Sequence, residues 1–575
     1  MDAPLKNLSG CDVSFLPIVG AFVKKIGILE EVDRLCGGHS DVSAGLMVEA
    51  MVLDTLSGRS PLYRLEDSFA KMDLGLLLGQ DIPASKFNDD AVGRSLDRIF
   101  DTGPGKIFTA IAIRMVKLFD LNTTHVHQDT TSVTLYGDYD IYDDPDREHP
   151  FVITFGFSKD HRPDLKQLIH SLLCVDHGIP ISSKCYDGNK SDKKINEDIM
   201  GSITDRMREM GRRNFLYVGD SATVTKANLE LAADEKKGFL ILSRLPASYK
   251  ACGQAIAQAV EADDWEDHGV LAQQSSSGKS KAAHYRSFET ELTLHERSYR
   301  GVVFHSSAHD DRKMKKLRRL LDEDLSFLTQ AKADHEKIEY ACLPDAEAAA
   351  SRIPKGRFHR LSTEIQEIPK YGRGRPRADG SQTIARMAYK VKLNVERNQE
   401  AIAKAEKEAG CFVLITNASA EGEEGVDSKG LLTIYRDQNT VDRNFGFLKD
   451  DAIVNALFLK TPARLEALGL ILVISLLVWR LMERTMRVSL KESGSTVTGW
   501  DKRQTTRPTS FMMSIKFQSV QVFRIDSGRF PAHPLNSTQL QYLKILGLSP
   551  EIFTEPYDKR AARLKAESAS WSPSG

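Results

Sequence analysis

The sharpest restriction on the fold comes from two short apolar runs that each lead into an aspartate. His125 to Gln128 is a β-type run that ends at Asp129, and Asn214 to Val218 is a second run that leads through Gly219 to Asp220. The carboxyl ends of strands in an α/β sheet open onto the crevice where ligands bind. A single such aspartate can equally cap the turn or helix that follows it. The pair indicates a sheet with an acidic edge.

The spacing of apolar residues divides the chain into five segments. Residues 1–120 carry apolar residues at helical spacing and predict an all-helical N-terminal domain. Residues 121–245 read as strands and helices, and a polar, irregular stretch over 246–409 interrupts them. Within that stretch, residues 283–294 are strand-like, and a leucine stripe from Met314 to Leu328 predicts one amphipathic helix. A buried strand and two helices follow over 410–490, and 491–575 form a C-terminal extension. We therefore predict an α/β fold, with a mixed sheet and helices interrupted by a large insertion.

A helix predicted from Ile434 to Asp450 carries a third acid. Four polar side chains lie on one of its faces, because their spacings of 3, 4 and 7 residues fit a period of ~3.6 residues per turn. They are Tyr435, Gln438, Asp442 and Lys449. An acid between an aromatic hydroxyl and an ammonium suits a metal ion beside a phosphate backbone. A solvated polar face is the alternative.

This helix resembles the signature Y-x2-R-x3-E-x6-K of bacterial insertion-sequence transposases. Tyr435 and Lys449 match it, whereas Gln438 stands at the arginine position and Asp442 at the glutamate position. Other stretches resemble the same IS-four-like group, in order, between residues 12 and 520. They are PLYR at 61–64, NDDAVGR at 88–94, QDTTSV at 128–133, SKDHRPDLKQ at 158–167, DGNKSD at 187–192, GDSA at 219–222 and FLKTPAR at 458–464.

The resemblance implies a transposase of the DDE class with a ribonuclease-H-like catalytic fold. Asp129, Asp220 and Asp442 would be its catalytic residues and metal ligands, and the insertion would separate the second acid from the third. Three carboxylates without His or Cys partners favour two Mg²⁺ or Mn²⁺ ions. Two such ions can activate the attacking oxygen and stabilise the leaving one. The implied activity is cleavage of DNA strands and their transfer into target DNA.

The resemblance also implies contacts with double-stranded DNA, at the element ends and the target. Tyr435 and Lys449 would contact phosphates near the cut, with Gln438 as a weaker, uncharged partner. Three basic residues after the first strands are further candidates, and a solvated turn is an equal alternative for them: Lys159, Arg162 and Lys166.

A basic segment inside the insertion is another candidate for DNA binding. Residues 370–392 hold seven Lys or Arg against one acid. Within it, Arg373 to Pro376 (with Arg375) is similar to the core of an AT-hook, in which Arg enters a narrow minor groove. A flexible basic loop is the alternative interpretation.

Composition and targeting signals limit the location of the protein. The net charge of -1 says nothing about a nucleic-acid partner, and seven scattered cysteines without a CxxC pair argue against a disulfide framework or a zinc site. The longest apolar stretch, Ala467 to Trp479, is 13 residues, and a membrane span needs ~20. We therefore predict a buried helix there, no membrane, and a protein of the bacterial cytosol that associates with the nucleoid.

The resemblance also implies a homodimer on paired ends, as is usual for transposases of this kind.

Two other functions remain open. A relative weakened by Gln438 and Asp442 would bind DNA without cutting it. A metal-dependent hydrolase of small phosphate esters would need the same acids, but it would leave the basic segments without a role.

Overall fold

The structure is a computed structural model that describes residues 8–38, 40–58, 60, 64–135, 139, 150–234, 236–271, 282–373, 382–422, 425–450, 459, 461–525 and 528–559. The chain forms two compact units. The first consists of Met1–Ser243 and Gly430–Gly575, and the second is Arg244–Lys429. The second unit encloses the predicted insertion, 246–409. The predicted α/β class is confirmed, because both units combine helices with sheets.

Helices fill most of the N-terminal segment, as predicted. Side-chain caps fix two of their starts: Ser43 accepts from the backbone of Leu46, and Asn88 accepts from the backbone of Ala91. A short strand, β1 (Leu8–Asp12), precedes the helices, so this segment is not all-helical. The helices are α1 (Leu16–Ile26), α2 (Ile28–Cys36), α3 (Ala44–Leu56), α4 (Leu65–Phe69), α5 (Leu74–Leu77), α6 (Asp89–Thr102) and α7 (Pro104–Leu118).

A mixed sheet follows in the first unit, with its described strands in the order β4-β3-β2-β5-β6. β3 pairs antiparallel with β2 and β4, whereas β2, β5 and β6 run parallel to one another. Parallel strands are covered on both faces, which explains why β5 is buried along its whole length. The elements are β2 (His125–Leu135), β3 (Lys166–Val175), β4 (Ile179–Tyr186), α8 (Asp192–Glu209), β5 (Leu216–Gly219), α9 (Lys226–Ala232) and β6 (Leu240–Arg244).

The second unit is more regular than its polar sequence suggested. Four of its strands form an antiparallel sheet in the order β12-β9-β8-β7, and β10 and β11 form a long hairpin. The predicted strand over 283–294 and the predicted amphipathic helix with its leucine stripe are both confirmed. The elements are α10 (Lys250–Ala262), β7 (Glu266–Leu271), β8 (Ala283–Leu294), β9 (Arg297–Ser306), α11 (Ser307–His335), α12 (Leu343–Ser351), β10 (His359–Tyr371), β11 (Ile384–Arg397), α13 (Gln399–Glu408) and β12 (Cys411–Thr416).

Two helices, α14 (Ser428–Arg436) and α15 (Asn439–Leu448), take the place of the single helix predicted from 434 to 450. Between them the backbone makes tighter turns, in which Thr440 N donates to Asp437 O at 2.9 Å and Val441 N to Gln438 O at 2.9 Å. The hydroxyl of Thr440 also donates to Asp437 O, at 2.6 Å. Local side-chain bonds of this kind compete with regular helix bonding. The single continuous helix predicted there is therefore wrong.

The long helix α16 (Pro462–Ser493) forms the core of the first unit. Helices α1, α3, α6 and α7 pack around it. By length and composition alone it could cross a membrane, since its most apolar window has a mean hydropathy of 2.1. Within the fold 78% of that window is buried, as for a core helix. The buried helix predicted from the apolar run is confirmed.

The C-terminal segment packs within the same unit as the N-terminal helices. Its elements are β13 (Val497–Thr498), β14 (Gln504–Thr505), α17 (Ser510–Phe517), β15 (Gln521–Ile525), β16 (Gly528–Pro531) and α18 (Ser537–Leu546). β15 pairs antiparallel with β1 and with β16. The Arg529 guanidinium donates to both carboxylate oxygens of Asp73, at 2.6 and 2.9 Å. The two ends of the chain thus meet in one sheet.

Candidate active site

The parallel pairing of β2 and β5 brings Asp129 and Asp220 side by side. His127 is the register partner of Val218, and each aspartate lies two residues further along its own chain. Asp220 keeps an extended backbone, with φ −75° and ψ −174°. Side chains two residues apart share a face of the sheet, and neighbouring strands lie ~4.8 Å apart. The two carboxylates therefore share a face of the sheet. Asp220 directly follows the end of β5, whereas Asp129 lies near the middle of β2, which continues to Leu135, so the strand end predicted at Asp129 is wrong.

Asp129 lies in an environment that opposes its ionisation. Burial raises its pKa to about 7, and the charges of Asp442 and Asp220 act in the same direction. The Lys159 ammonium opposes them, as does the hydrogen bond that Asp129 Oδ1 accepts from Thr130 N at 2.7 Å. The carboxyl group therefore exchanges its proton near neutral pH, which is typical of functional acids.

Asp220 both caps the turn after β5 and lies beside Asp129, which are the two roles that its position allowed. Its Oδ1 accepts from Ala222 N at 2.9 Å and caps the short turn after β5. Burial raises its pKa, and the charge of Asp192 raises it further, whereas Lys159 lowers it. The hydroxyl of Ser243 on β6 donates to the Asp220 carbonyl at 2.6 Å, which fixes the backbone. The capping interpretation is thus correct, and it leaves Asp220 beside Asp129.

Asp442 is exposed in the first turn of α15, and its charge reaches Asp129. The helix is held in place by Asn444, whose amide donates to Gly178 O at 2.7 Å and whose carbonyl accepts from Arg480 Nε at 2.7 Å. Gly178 has φ +101°, and a Cβ there would lie 3.0 Å from the Thr440 side chain. This glycine therefore lets α15 approach the β3–β4 turn closely.

The three predicted acids are electrostatic neighbours without forming a closed ligand set. Among the residues that the structure describes, no group of three His, Cys, Asp or Glu side chains is arranged to hold a metal ion. The donor chemistry nevertheless fits a hard cation, because the acids offer only carboxylate oxygens. Asp129 and Asp220 would be the first two ligands, with Asp442 as the third.

Lys159 points into the acidic site. Its ammonium donates to the Thr130 carbonyl and to the Thr130 hydroxyl, both at 2.8 Å, and lies 3.4 Å from Asp192 Oδ2. The Thr130 hydroxyl in turn donates to Asp192 Oδ1 at 2.6 Å. Lys159 also lowers the pKa of both Asp129 and Asp220, so its charge acts on this pair. Its side chain is 32% exposed, so solvent still reaches it.

Asp192 is a functional candidate that the sequence reasoning missed. It stands in the first turn of α8, where an acid would ordinarily serve the helix N-terminus. The signal was the DGNKSD stretch, which carried part of the resemblance but received no role. In the structure, Asp192 holds both Thr130 and Lys159 beside Asp129.

The other predicted basic residues of the first unit have partners within the chain. Lys449 donates to Asp160 Oδ1 at 2.6 Å, which ties the end of α15 to the loop that carries Lys159. Arg162 makes two hydrogen bonds to Asp164, at 2.8 and 2.7 Å.

Lys166, at the start of β3, lies 6.0 Å from the centroid of the Phe155 ring. Lys166 is the register partner of Leu135, six residues beyond Asp129 on β2, so the structure places it away from the acidic site.

Tyr435 and Gln438 lie where α14 ends and α15 begins. Tyr435 is half-buried near the end of α14. Gln438 is buried and its amide donates to Gln128 O at 3.4 Å, so its side chain here holds the chain against β2 instead of facing a phosphate. Arg373 is exposed after β10 in the second unit, and Arg375 lies outside the described residues.

The chain resembles a known family profile over part of its length and a solved structure over nearly all of it. Residues 9–113 match a protein-family profile described as "Domain of unknown function (DUF4277)". No curated protein matches the chain. Among solved structures, the chain is similar to one titled "Cryo-EM structure of piggyBac transposase synaptic complex with hairpin DNA", with a TM-score of 0.36 and 8% identity over 99% of this chain and 88% of that chain. A TM-score of 0.36 is too low to establish a shared fold.

Proposed function

We propose that this chain is a DNA transposase of the DDE class that cuts and joins DNA with Asp129, Asp220 and Asp442. The observation that carries the proposal is the pair of aspartates on adjacent parallel strands, with the charge of the third acid reaching Asp129. The third acid comes from the segment that resembles the transposase signature. Neighbouring acids whose pKa values are raised, on one face of an α/β sheet, are typical of a catalytic site.

A ribonuclease-H-like core is part of this proposal. Its support is the strand order β4-β3-β2-β5-β6, in which the described strands are parallel except for β3. The first acid lies on the central strand of this order, and the second follows its parallel neighbour. The third acid arrives on a helix after the second unit has intervened in the chain.

Divalent Mg²⁺ or Mn²⁺ is the cofactor that we propose for the three acids. When bound, such ions activate the attacking oxygen of water or a 3′-hydroxyl and stabilise the leaving oxygen. Asp129 holds a proton below pH 7 and must release it to become a ligand, since its pKa is about 7. Lys159 and Thr130 keep the Asp129 side of the site polar and oriented. Lys449 and Tyr435 are the proposed contacts with DNA phosphates, in a homodimer on paired ends.

Metal-dependent cleavage of DNA tests the proposal. The substrate is a duplex that carries the ends of the element, incubated with Mg²⁺ or Mn²⁺ and either this chain or Asp129→Ala. We expect nicking that requires the metal and disappears in Asp129→Ala. The exposed Asp101, on α6, provides a matched control, and Asp101→Ala should cut normally. Cleavage that survives Asp129→Ala would exclude this site.

A weakened enzyme is the second candidate, and two observations favour it. Asp442 is exposed and forms no closed metal group with the other acids, and Gln438 is buried. Tight DNA binding without cleavage in either metal would support this candidate. A large gain of cleavage in Asp442→Glu would identify Asp442 as a ligand that is one methylene too short. A loss in the same variant would show that the site is built around aspartate.

A measurement of DNA binding distinguishes a hydrolase of small phosphate esters from both of these candidates. Binding to a long duplex that weakens steeply with salt reports the release of counterions from phosphate contacts. A small-ester hydrolase has no need of such contacts.

A further inference from the structure

We infer that the first half of α11 in the second unit is a binding surface for the phosphate backbone of duplex DNA, an assignment that rests on the proposed function. Six of the eight residues from 312 to 319 are basic, and all six are exposed. They are Arg312, Lys313, Lys315, Lys316, Arg318 and Arg319. We name them the α11 cations. None of them belongs to the acidic site or to the basic segment of the hairpin.

The packing of α11 fixes the direction in which these cations point. Leu317 is buried and packs with Phe358 and Ile402 in a small apolar core of the second unit. Met314 and Leu321 pack against the same core. Residues three and four apart share a helix face, so these apolar side chains form one stripe and the α11 cations cover the remaining surface. Rotation of the helix to hide the charges would expose the core.

Within the described part of the chain, most of the α11 cations form no ion pair. Their spacings place like charges at i,i+3 and i,i+4, which destabilises a helix. Only Arg319 has an ion pair among the described residues, with Glu323 at 3.2 Å.

Three acids follow the α11 cations, Asp322, Glu323 and Asp324, and the last of them is engaged elsewhere. Its carboxylate accepts from the backbone of Arg357 and Phe358, each at 2.9 Å, and lies 2.8 Å from His359 Nδ1. The α11 cations thus remain available to an external anion.

The pKa of a histidine beside the surface responds to the positive charge of the α11 cations. Burial lowers the pKa of His309 to about 4, and Arg244, Lys313 and Arg312 lower it as well. His309 Nε2 lies 3.4 Å from the Arg244 guanidinium. The field of the α11 cations therefore extends to their neighbours instead of being neutralised locally.

The dimensions of the surface suit a duplex. Seven steps along a helix at 1.5 Å each span roughly 10 Å. A DNA duplex carries one phosphate charge per ~1.7 Å of axis, so this length faces roughly six phosphates. Six cations on one rigid helix match this number. An acidic protein is the other class of partner, and the test below separates the two.

The test removes three charges from the surface and compares an equal removal elsewhere in the same unit. Glutamine has nearly the helix propensity of lysine, so the helix should persist. The test variant combines Lys313→Gln, Lys315→Gln and Lys316→Gln. The control combines Lys337→Gln, Lys355→Gln and Lys404→Gln, which are also exposed. Binding of each full-length protein to a long duplex of arbitrary sequence is measured over a range of NaCl concentrations, and circular dichroism checks the helix content.

We expect the test variant to bind at least ten-fold more weakly at low salt. Its slope of log affinity against log salt should be smaller by roughly 2 to 3, because each lost phosphate contact removes ~0.9. The control should keep the affinity and slope of the parent chain. Equal slopes for the parent and the test variant would overturn the inference, as would equal losses in both variants. Equal binding of polyglutamate and DNA by the parent would overturn the assignment to DNA.

Cleavage measured on the same proteins separates this inference from the proposed function. Duplex binding with the expected slopes but no metal-dependent cutting would sustain the surface and defeat the proposed function. Cutting with unchanged slopes would sustain the function and defeat the surface.

Discussion

Replacement of Asp129 by asparagine should stabilise the folded protein at alkaline pH while removing its proposed activity. Burial and two neighbouring acids raise the pKa of Asp129 to about 7, from an ordinary value of 3.8. An acid whose pKa is raised by folding stabilises the folded state only while it is protonated. That contribution is complete below pH 3.8 and is lost as the pH rises through 7. Asparagine has nearly the same shape and carries no charge, so it avoids this loss.

The magnitude follows from the size of the shift. A rise from 3.8 to about 7 is roughly three pKa units, and each unit corresponds to about 1.4 kcal/mol. Asp129→Asn should therefore gain about 4 kcal/mol over the parent at pH 8. Near pH 5 the gain should fall to roughly 2 kcal/mol, since only the part of the shift below that pH then counts. Asparagine can still accept the hydrogen bond from Thr130 N, so the backbone contact survives.

Scanning calorimetry of both proteins at pH 5, 6, 7 and 8 measures this difference. The unfolding temperature of Asp129→Asn should exceed that of the parent by several degrees at pH 8 and by less at pH 5. Asp101→Asn, at an exposed position on α6, should show no trend with pH. Mn²⁺ should raise the stability of the parent more than that of Asp129→Asn, because the ion relieves the repulsion among carboxylates. A gain that is the same at all four pH values would refute the reasoning, and so would a loss.

Two further predictions concern buried charges in the first unit. Arg529→Ala leaves Asp73, which is 1% exposed, without its cation and should cost about 3–5 kcal/mol. The matched Arg524→Ala, whose partner Asp81 is 72% exposed, should cost less than about 1 kcal/mol. Equal losses of unfolding temperature would contradict the role of burial. Burial also raises the pKa of Glu49 to about 8, so stability from its protonated form is lost as the pH rises through 8, and Glu49→Gln should raise the unfolding temperature at pH 9 more than at pH 5.

Local patterns in the sequence predicted elements well. The helical N-terminal segment, the buried helix α16 and the amphipathic helix α11 follow from apolar spacing within short stretches. The strand end before Asp220 is equally local, whereas the one predicted at Asp129 is wrong because β2 continues to Leu135. Prediction from apolar spacing failed where a side-chain hydrogen bond interrupts the predicted helix. At Asp437 and Thr440 a hydroxyl bond to the backbone divides the predicted helix, and apolar spacing carries no trace of it.

The candidate site could be predicted only in part, because its assembly depends on contacts between distant residues. The register that aligns His127 with Val218 is a property of the folded sheet. Thr130 and Asp192 are 62 positions apart, and their hydrogen bond depends on how α8 follows the sheet. A resemblance to known motifs named the acids, but it could not show that Lys159 points inward.

The position of Lys159 gives the acidic site a physical logic. Asp129, Asp220, Asp192 and Asp442 place four carboxylates within mutual electrostatic range, directly or through a shared neighbour, and one ammonium faces them. Because negative charge remains in excess, repulsion among the carboxylates destabilises the folded site. A bound cation or a retained proton would reduce this destabilisation. Burial and the charges of the neighbouring acids together raise the pKa of Asp129. A site that should gain stability on losing its central acid is arranged for a ligand with positive charge, and the surrounding loop, tied by Asp160 to Lys449, keeps that arrangement in register.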